Sequence, residues 1–555
     1  MPSLIIRNGT VYDPLHGVDG EKQDLWISNG CLVAAPNDPR VRPERVIDAT
    51  GLVVMPGGID MHCHIAGPKV NTARKMLPED RRRAKPFLRT GITRSGTIGS
   101  VPSTFATGYL YAGLGYTTAI DAAIPPLAAR HAHEEFWDTP LIDKGFLVLA
   151  GNNHYVMRKL KEAEPHLVQA YLGWLLNATK GYGIKIVNPG GVENWKSRAN
   201  GNVKTLDDTV DGFGITPRDI LRGVAAAVDG LGLPHSVHIH GNNLGLPGNW
   251  STTRETMRAL EGHRGHLTHI QFHSYGGDPD DQSTFRSEVP ALAEYVNKHA
   301  NLTIDVGQVM FGDTVSMTGD GPLGNYLHRV TGHKWFNGDI EQEAGCGIVP
   351  ITYKEKSFVH ALQWAVGLEW YLLVEDPWRV AMTTDHPNGA SFLAYPQIIA
   401  LLMDRSRREE ALARLPARVR ETTVLSELNR EYTMNEIAII TRAAPAKMLG
   451  LKRKGHLGIG ADADITIYTP NEDIQQMFEM PRYVLKAGEI LIENGEVRKS
   501  VDGVTVQTAP AYDTEAIPSI REWFESRYTV QFRNYSIEDD EVGTTIVEPV
   551  SAKPT

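Results

Sequence analysis

Gly57-Gly58-Ile59-Asp60-Met61-His62-Cys63-His64 follows directly on the apolar run Leu52-Val53-Val54-Met55 and Pro56. Residues two apart on a strand point to the same side, so His62 and His64 can converge on one metal ion at a strand's end. Taken alone, H-x-H is a cheap pattern that two structural histidines satisfy equally well. The rest of the chain changes its meaning, because ligand-type residues recur at the ends of other apolar runs.

Outward from that stretch, residues 56–445 alternate strand-like and helical segments. The strand-like runs include Tyr116-Thr117-Thr118-Ala119-Ile120, Phe146-Leu147-Val148-Leu149, Gly183-Ile184-Lys185-Ile186-Val187, Ser236-Val237-His238-Ile239-His240, Leu267-Thr268-His269-Ile270 and Leu302-Thr303-Ile304-Asp305-Val306. Helical periodicity separates them, as in Asp219–Val228. Repeated βα units imply a parallel sheet with helices outside. The length and the polar strand ends favour an α/β fold of the closed (β/α)8 type, a TIM-like barrel whose chemistry sits at the C-terminal ends of the strands. An open doubly wound sheet competes, but no Gly-x-Gly-x-x-Gly follows the first strand.

Both ends read differently. Leu4–Arg7 leads into Asn8-Gly9 and Thr10–Tyr12, and Asp24–Ser28 leads into Asn29-Gly30 and Cys31–Val33. Asn-Gly between apolar runs favours a type I′ hairpin, since both turn positions need positive φ. The same pattern returns in Asp464–Tyr468 and in Ile490–Glu493 before Asn494-Gly495. The expectation is a small β-sandwich domain assembled from residues 1–55 and 446–500, the alternative being two unrelated hairpin caps. Residues 501–555 form a C-terminal extension whose Trp523, Phe524, Tyr528, Phe532 and Tyr535 are expected to pack on something.

Composition narrows the function. The chain has 555 residues, 41% hydrophobic and 22% charged, with a net charge of −10. That is an ordinary soluble balance and argues against a general nucleic-acid binder. Only three cysteines occur and none forms a C-x-x-C pair, so a disulfide framework, an iron–sulfur cluster or a cysteine zinc site is poorly supported. Neither a cleavable apolar leader nor a membrane-spanning apolar run is legible. The expected compartment is the cytoplasm, with no membrane partner.

The candidate site assembles from five runs. Lys185 lies between Ile184 and Ile186, an expensive place for a charged amine. An uncharged amine there can add carbon dioxide to give a carbamate able to bridge two metals; otherwise the lysine snorkels to the barrel rim. His238 and His240 again show i, i+2 spacing, followed by Gly241-Asn242-Asn243. His269 and His273 follow, and Asp385 ends a short apolar run before His386-Pro387-Asn388-Gly389. After His64 comes a basic insertion containing Lys69, Arg74, Arg82 and Arg83. It is either a carboxylate-recognising face or a solvated helix.

The order H-x-H, Lys, His, His, Asp resembles the binuclear, carboxylysine-bridged amidohydrolases, which include dihydropyrimidinase and dihydroorotase. Longer strings resemble one branch, the A-type subunits of formylmethanofuran dehydrogenases and of bacterial formyltransferase/hydrolase complexes. They include His64–Asn71, Pro102–Tyr109, Gly183–Gly191, His238–Gly245 and Thr268–Gly276. The resemblance implies an amidohydrolase barrel and two zinc ions. His62, His64 and Asp385 would hold one, His240 and His269 the other, with N6-carboxylated Lys185 between them. Asp385 would take a proton from the attacking water and pass it to the departing amine. His238 and His273 could replace their neighbours as ligands, assist the reacting carbonyl, or orient a ligand. Asn242, Asn243 and the four basic residues would contact substrate. The implied reaction cleaves an N-formyl amine carrier of the methanofuran type and releases formate, or runs in reverse. It would occur inside a multi-subunit complex whose other chains hold any molybdenum, tungsten or iron–sulfur. The alternatives are a cyclic-amide hydrolase of the dihydropyrimidinase kind and a metal-free scaffold protein.

Overall fold

In the computed structural model, which describes residues 3–38, 40–198, 201–338 and 346–551, eight apolar runs pair side by side. They are β1 (Gly58–Cys63), β2 (Tyr116–Ile124), β3 (Asp143–Leu149), β4 (Gly183–Val187), β5 (Val237–His240), β6 (Gly265–Leu267), β7 (Leu302–Asp305) and β8 (Val380–Ala381). Each neighbouring pair from β1 to β8 is parallel. Between β8 and β1 a parallel bridge joins Cys63 to His386, and the His64 N–H donates to the His386 carbonyl at 2.7 Å. The barrel is therefore nearly closed. Residues of β1 to β6 are buried on both faces, which explains their continuous apolar character. Glycine lets β1 start against β2, because a Cβ on Gly57 would lie 2.2 Å from Thr117 Oγ1.

Helices cover the outside. The helix Pro217–Gly230 begins with a Thr216–Asp219 capping box and Pro217 in its first turn, and buries Ile220, Leu221, Val224 and Val228. Two insertions rise at the C-terminal end of the barrel. One, between β1 and β2, holds the helices Pro68–Met76 and Pro78–Arg83 and a short Pro86–Phe87/Gly96–Thr97 ribbon. The other, between β7 and β8, is an antiparallel ribbon of Gly312–Thr318 with Cys346–Tyr353, carrying the helix Gly321–Thr331. Leu323, Ile351 and Tyr353 of this second insertion pack on Leu244, Phe272 and Val309 at the barrel mouth.

Strands from both ends of the chain join one nine-stranded sheet, in which Ile465–Tyr468 runs antiparallel to Val53–Pro56. Asn29-Gly30 and Asn494-Gly495 have positive φ at both positions, as type I′ turns require. Asn8-Gly9 differs from the expectation. Leu4–Asp13 is one continuous strand with a register shift between Ile6 and Gly9. Only Asn8 takes positive φ, and its N–H donates to Asp24 Oδ1 at 3.0 Å. A Cβ on Gly9 would lie 2.6 Å from Val54 Cγ2, so this glycine serves a bulge and a close approach rather than a hairpin.

The C-terminal extension adds Thr505–Thr508, parallel to β3 near its start, and Thr545–Glu548 beside it. Its aromatic residues pack on the barrel's outer helices: Phe532 stacks on Trp174 with centroids 4.7 Å apart, and Phe524 meets the same ring edge-on.

Candidate metal centre

The histidines of β1 meet the aspartate after β8. His62 Nε2 lies 3.0 Å from Asp385 Oδ1, and His64 Nε2 lies 3.1 Å from the same oxygen. Lys185, near the middle of β4, brings Nζ within 3.4 Å of His62 Nε2. The rings of His240 and His269 meet edge-to-face at 4.7 Å, and that of His269 lies 5.2 Å from His62. His64, Lys185, His240, His269 and Asp385 line one cavity, with His62 fully buried behind them. Above these polar groups the walls turn apolar, with Leu244, Phe272, Met317, Leu323, Tyr326 and Ile351.

Burial pushes the Lys185 ammonium down to about 8, against the opposing pull of Asp385 and Asp305. Burial also pushes His269 and His273 well below the usual imidazole range, which keeps them neutral, as ligands must be. Desolvation raises the Asp385 carboxyl, but the His62, His269 and His64 imidazoles around it hold it well below its ordinary value. The residues fit a metal on two counts. His62, His64 and Asp385 offer ligand atoms within 4.8 Å of one another, an imidazole–carboxylate donor set suited to zinc. The buried Nδ1 of His269 and both ring nitrogens of His273 have no hydrogen-bond partner among the described residues, a cost of about 1–3 kcal/mol each when nothing else engages them.

The histidine pairs His238/His240 and His269/His273 divide between the cavity and its surroundings. His238 points away from the cavity: its Nε2 is 3.1 Å from His62 Nδ1, and its Nδ1 is 3.0 Å from His235 Nε2. His240, one pleat further along β5, lines the cavity. His269 does not sit on a strand, because β6 ends at Leu267. His269 takes a φ of 36° and opens the 3-10 turn Ile270–His273. Asp305 at the end of β7 causes this turn, accepting from the Thr268 hydroxyl at 2.6 Å and the His269 N–H at 3.0 Å. His273 stacks on His269 with centroids 5.4 Å apart.

The expected substrate contacts scatter. Asn242 donates to Asn188 Oδ1 and the Pro189 carbonyl at 2.7 and 2.9 Å, tying two loops together. Asn243 donates to the Lys204 carbonyl and lines a neighbouring depression with Trp195 and Arg329. Arg74 is buried and donates through Nη1 to Glu135 Oε1 and Asn71 Oδ1 and through Nε to the Pro102 carbonyl, while its Nη2 has no hydrogen-bond partner among the described residues. Arg82 and Arg83 are exposed on the helix Pro78–Arg83, Arg82 lying 3.5 Å from Glu79. Lys69 is buried and close enough for its charge to act on Lys185. None of these six lines the cavity around Asp385.

Two aspartates carry roles that the sequence pattern did not mark out. Asp305 Oδ2 lies 3.2 Å from His62 Nδ1 and 3.0 Å from His266 Nε2, and Oδ1 accepts from the Thr383 hydroxyl at 2.7 Å. With Nδ1 assigned as the donor from this network, His62 keeps Nε2 free to face Asp385. A carboxylate closing an apolar strand was the available signal, the same one that marked Lys185. Asp320 Oδ2 lies 3.3 Å from His240 Nε2; it sits in the insertion after β7, and nothing local marked it. A separate carboxylate cluster, Asp143, Asp462 and Asp464, is paired with Lys454, Lys486 and Arg453 and is an ion-pair hub.

Known proteins bear on this geometry. The chain is 47% identical to Protein FwdA of Methanocaldococcus jannaschii over 559 aligned residues, covering 97% of each. It is 38% identical to the A-type subunit of the formyltransferase/hydrolase complex Fhc of Methylorubrum extorquens, covering 96% of each. It superposes with a TM-score of 0.91 and 36% identity on a chain in the crystal structure of the FhcABCD complex of that organism with methylofuran, covering 98% of this chain and 99% of that one. Residues 45–492 match the amidohydrolase family model, and the chain belongs to the amidohydrolase family.

Proposed function

We propose that this chain is the hydrolytic subunit of a one-carbon complex, cleaving the C–N bond of an N-formyl amine carrier of the methanofuran type to release formate, or forming that bond in reverse. The convergence of His62 and His64 on Asp385, with Lys185 against His62 and the paired rings of His240 and His269 alongside, carries the reading. Similarity along nearly the whole chain to the A-type subunit of Fhc, and to a complex crystallised with methylofuran, supports the substrate class.

His62, His64 and Asp385 would hold one zinc ion and His240 and His269 the other. Lys185 would stand between them as a carbamate, formed when its neutral amine adds carbon dioxide and loses a proton. A pair of such ions supplies Lewis acidity and lowers the pKa of bound water. Asp385 accepts the proton of the attacking water and delivers it to the departing amine nitrogen. The balance is one formamide and one water to one amine and one formic acid, which ionises. Asp305 and His238 hold His62 from the far side of its ring. His273 packs against His269. The apolar walls exclude bulk water from the reacting carbonyl. Lys69, Asn242, Asn243, Arg74, Arg82 and Arg83 would serve the carrier's tail only indirectly, by shaping or flanking the mouth.

Formate release from a formylated furfurylamine, measured on the purified complex, tests the assignment. Formate with no ring opening of hydantoin is expected. Ring opening without formate would move the chain to the cyclic-amide hydrolases. A metal-free chain inactive on both would make it a scaffold.

A further inference from the structure

The second insertion reaches into the metal centre through one carboxylate. Asp320 is 2% exposed and caps the helix Gly321–Thr331, its Oδ1 accepting from the Leu323 N–H at 3.3 Å. The same oxygen accepts from Asn188 Nδ2 at 2.9 Å, while Oδ2 lies 3.3 Å from His240 Nε2. Asn188 follows β4; its N–H donates to the His240 carbonyl at 2.9 Å, and its Oδ1 accepts from Asn242 Nδ2 at 2.7 Å. The loops after β4 and β5 and the inserted helix thus share one buried polar knot. Leu323, Tyr326 and Leu327 of that helix line the cavity.

We propose that Asp320 is a positioning residue that couples the seating of the helix Gly321–Thr331 to metal binding at His240. This rests on the reading of the cavity as a two-metal centre. A carboxylate accepting from His240 Nε2–H fixes the tautomer and leaves Nδ1 as the nitrogen with a free lone pair. Carboxylate partners of metal-binding histidines orient the ring and raise its basicity in this way. Because the same carboxylate also starts the helix, a metal that pins His240 pins the helix, and a settled helix presents His240. Linkage makes the two effects reciprocal.

The test combines zinc affinity, by competition with a chelator, with amide hydrogen exchange over residues 321–331, on the full chain. The wild-type chain is expected to bind two zinc ions, and zinc removal to speed exchange in the inserted helix. Asp320→Ala should weaken one of the two ions by about 10–100-fold, leave the other unchanged, and make exchange over 321–331 insensitive to zinc. Asp320→Ser keeps a capping oxygen for Leu323 but is too short to reach His240. It should show the same zinc defect with the helix still capped, separating positioning from folding. Two zinc ions bound with wild-type affinity in both variants, or zinc-independent exchange in the wild type, would overturn the coupling while sparing the two-metal reading. A wild-type chain that binds no zinc would overturn both.

Discussion

Asp385 is asked to do most at the level of single side chains. One oxygen lies within 3.0–3.1 Å of two histidine nitrogens, and its burial beside Lys185 places it where a proton must be taken and returned. Asp385→Asn keeps the shape and a ligand oxygen but removes the proton acceptor. Its kcat/KM for the formylated carrier is expected to fall by about 10²–10⁴-fold, and retention of more than about a tenth of the wild-type value would contradict the role. The ligand-type side chains around the cavity were readable because each lies within or at the end of an apolar run, where a charge or an imidazole is costly unless it has work there. Asp305 carried that same mark within Leu302–Val306. Asp320 did not. Its significance comes from a fold that brings residue 320 beside residue 240, and no local pattern encodes that meeting.

Among the elements, Glu369 shows how packing sets a pH dependence far from the cavity. It lies on the helix Phe358–Leu373, fully buried, and accepts from the Ser287 hydroxyl and from the Val424 N–H at 2.5 Å. Burial pushes its carboxyl from 4.5 up to about 7, with those hydrogen bonds opposing. A carboxyl raised on folding costs nothing below its unfolded value; its stabilisation is lost as the pH climbs from about 4.5 to about 7. Glu369→Gln should therefore match or fall below the wild-type Tm at pH 4.5 and gain on it by pH 8, with a ceiling on the order of 3 kcal/mol. A Tm difference constant with pH would contradict the assignment. Element boundaries were legible where physics is local. Apolar runs gave the barrel strands, and Asn29-Gly30 and Asn494-Gly495 gave their turns. Asn8-Gly9 misled because the same dipeptide suits a bulge, and contact with Val54 rather than turn chemistry decides between them. The strand read through His269 stops at Leu267 because Asp305, distant in sequence, captures the Thr268 hydroxyl and the His269 N–H.

For the whole molecule, the order of βα units implied a parallel barrel, and the chain builds a nearly closed one. The ends of the chain meet in one sheet, and the barrel's first layer is tied to that sheet through buried ions. Asp143 at the start of β3 lies 2.6 Å from Lys486, which is itself 2.7 Å from Asp464. Such pairs, once both partners are present, are costly to break, so the sheet acts as a rigid base for the strand ends that carry the cavity. The depth of the cavity was not legible, because its apolar walls come from an insertion between β7 and β8 whose packing depends on Leu244 and Phe272 from other loops. On the proposed reading, a carbamate on Lys185 would join two zinc ions in the barrel mouth. Native mass spectrometry of the active chain, with zinc counted by elemental analysis, tests it directly. Two zinc ions and the added mass of one carbon dioxide at Lys185 are expected; fully active protein with an unmodified Lys185 and no bound metal would contradict the bridge.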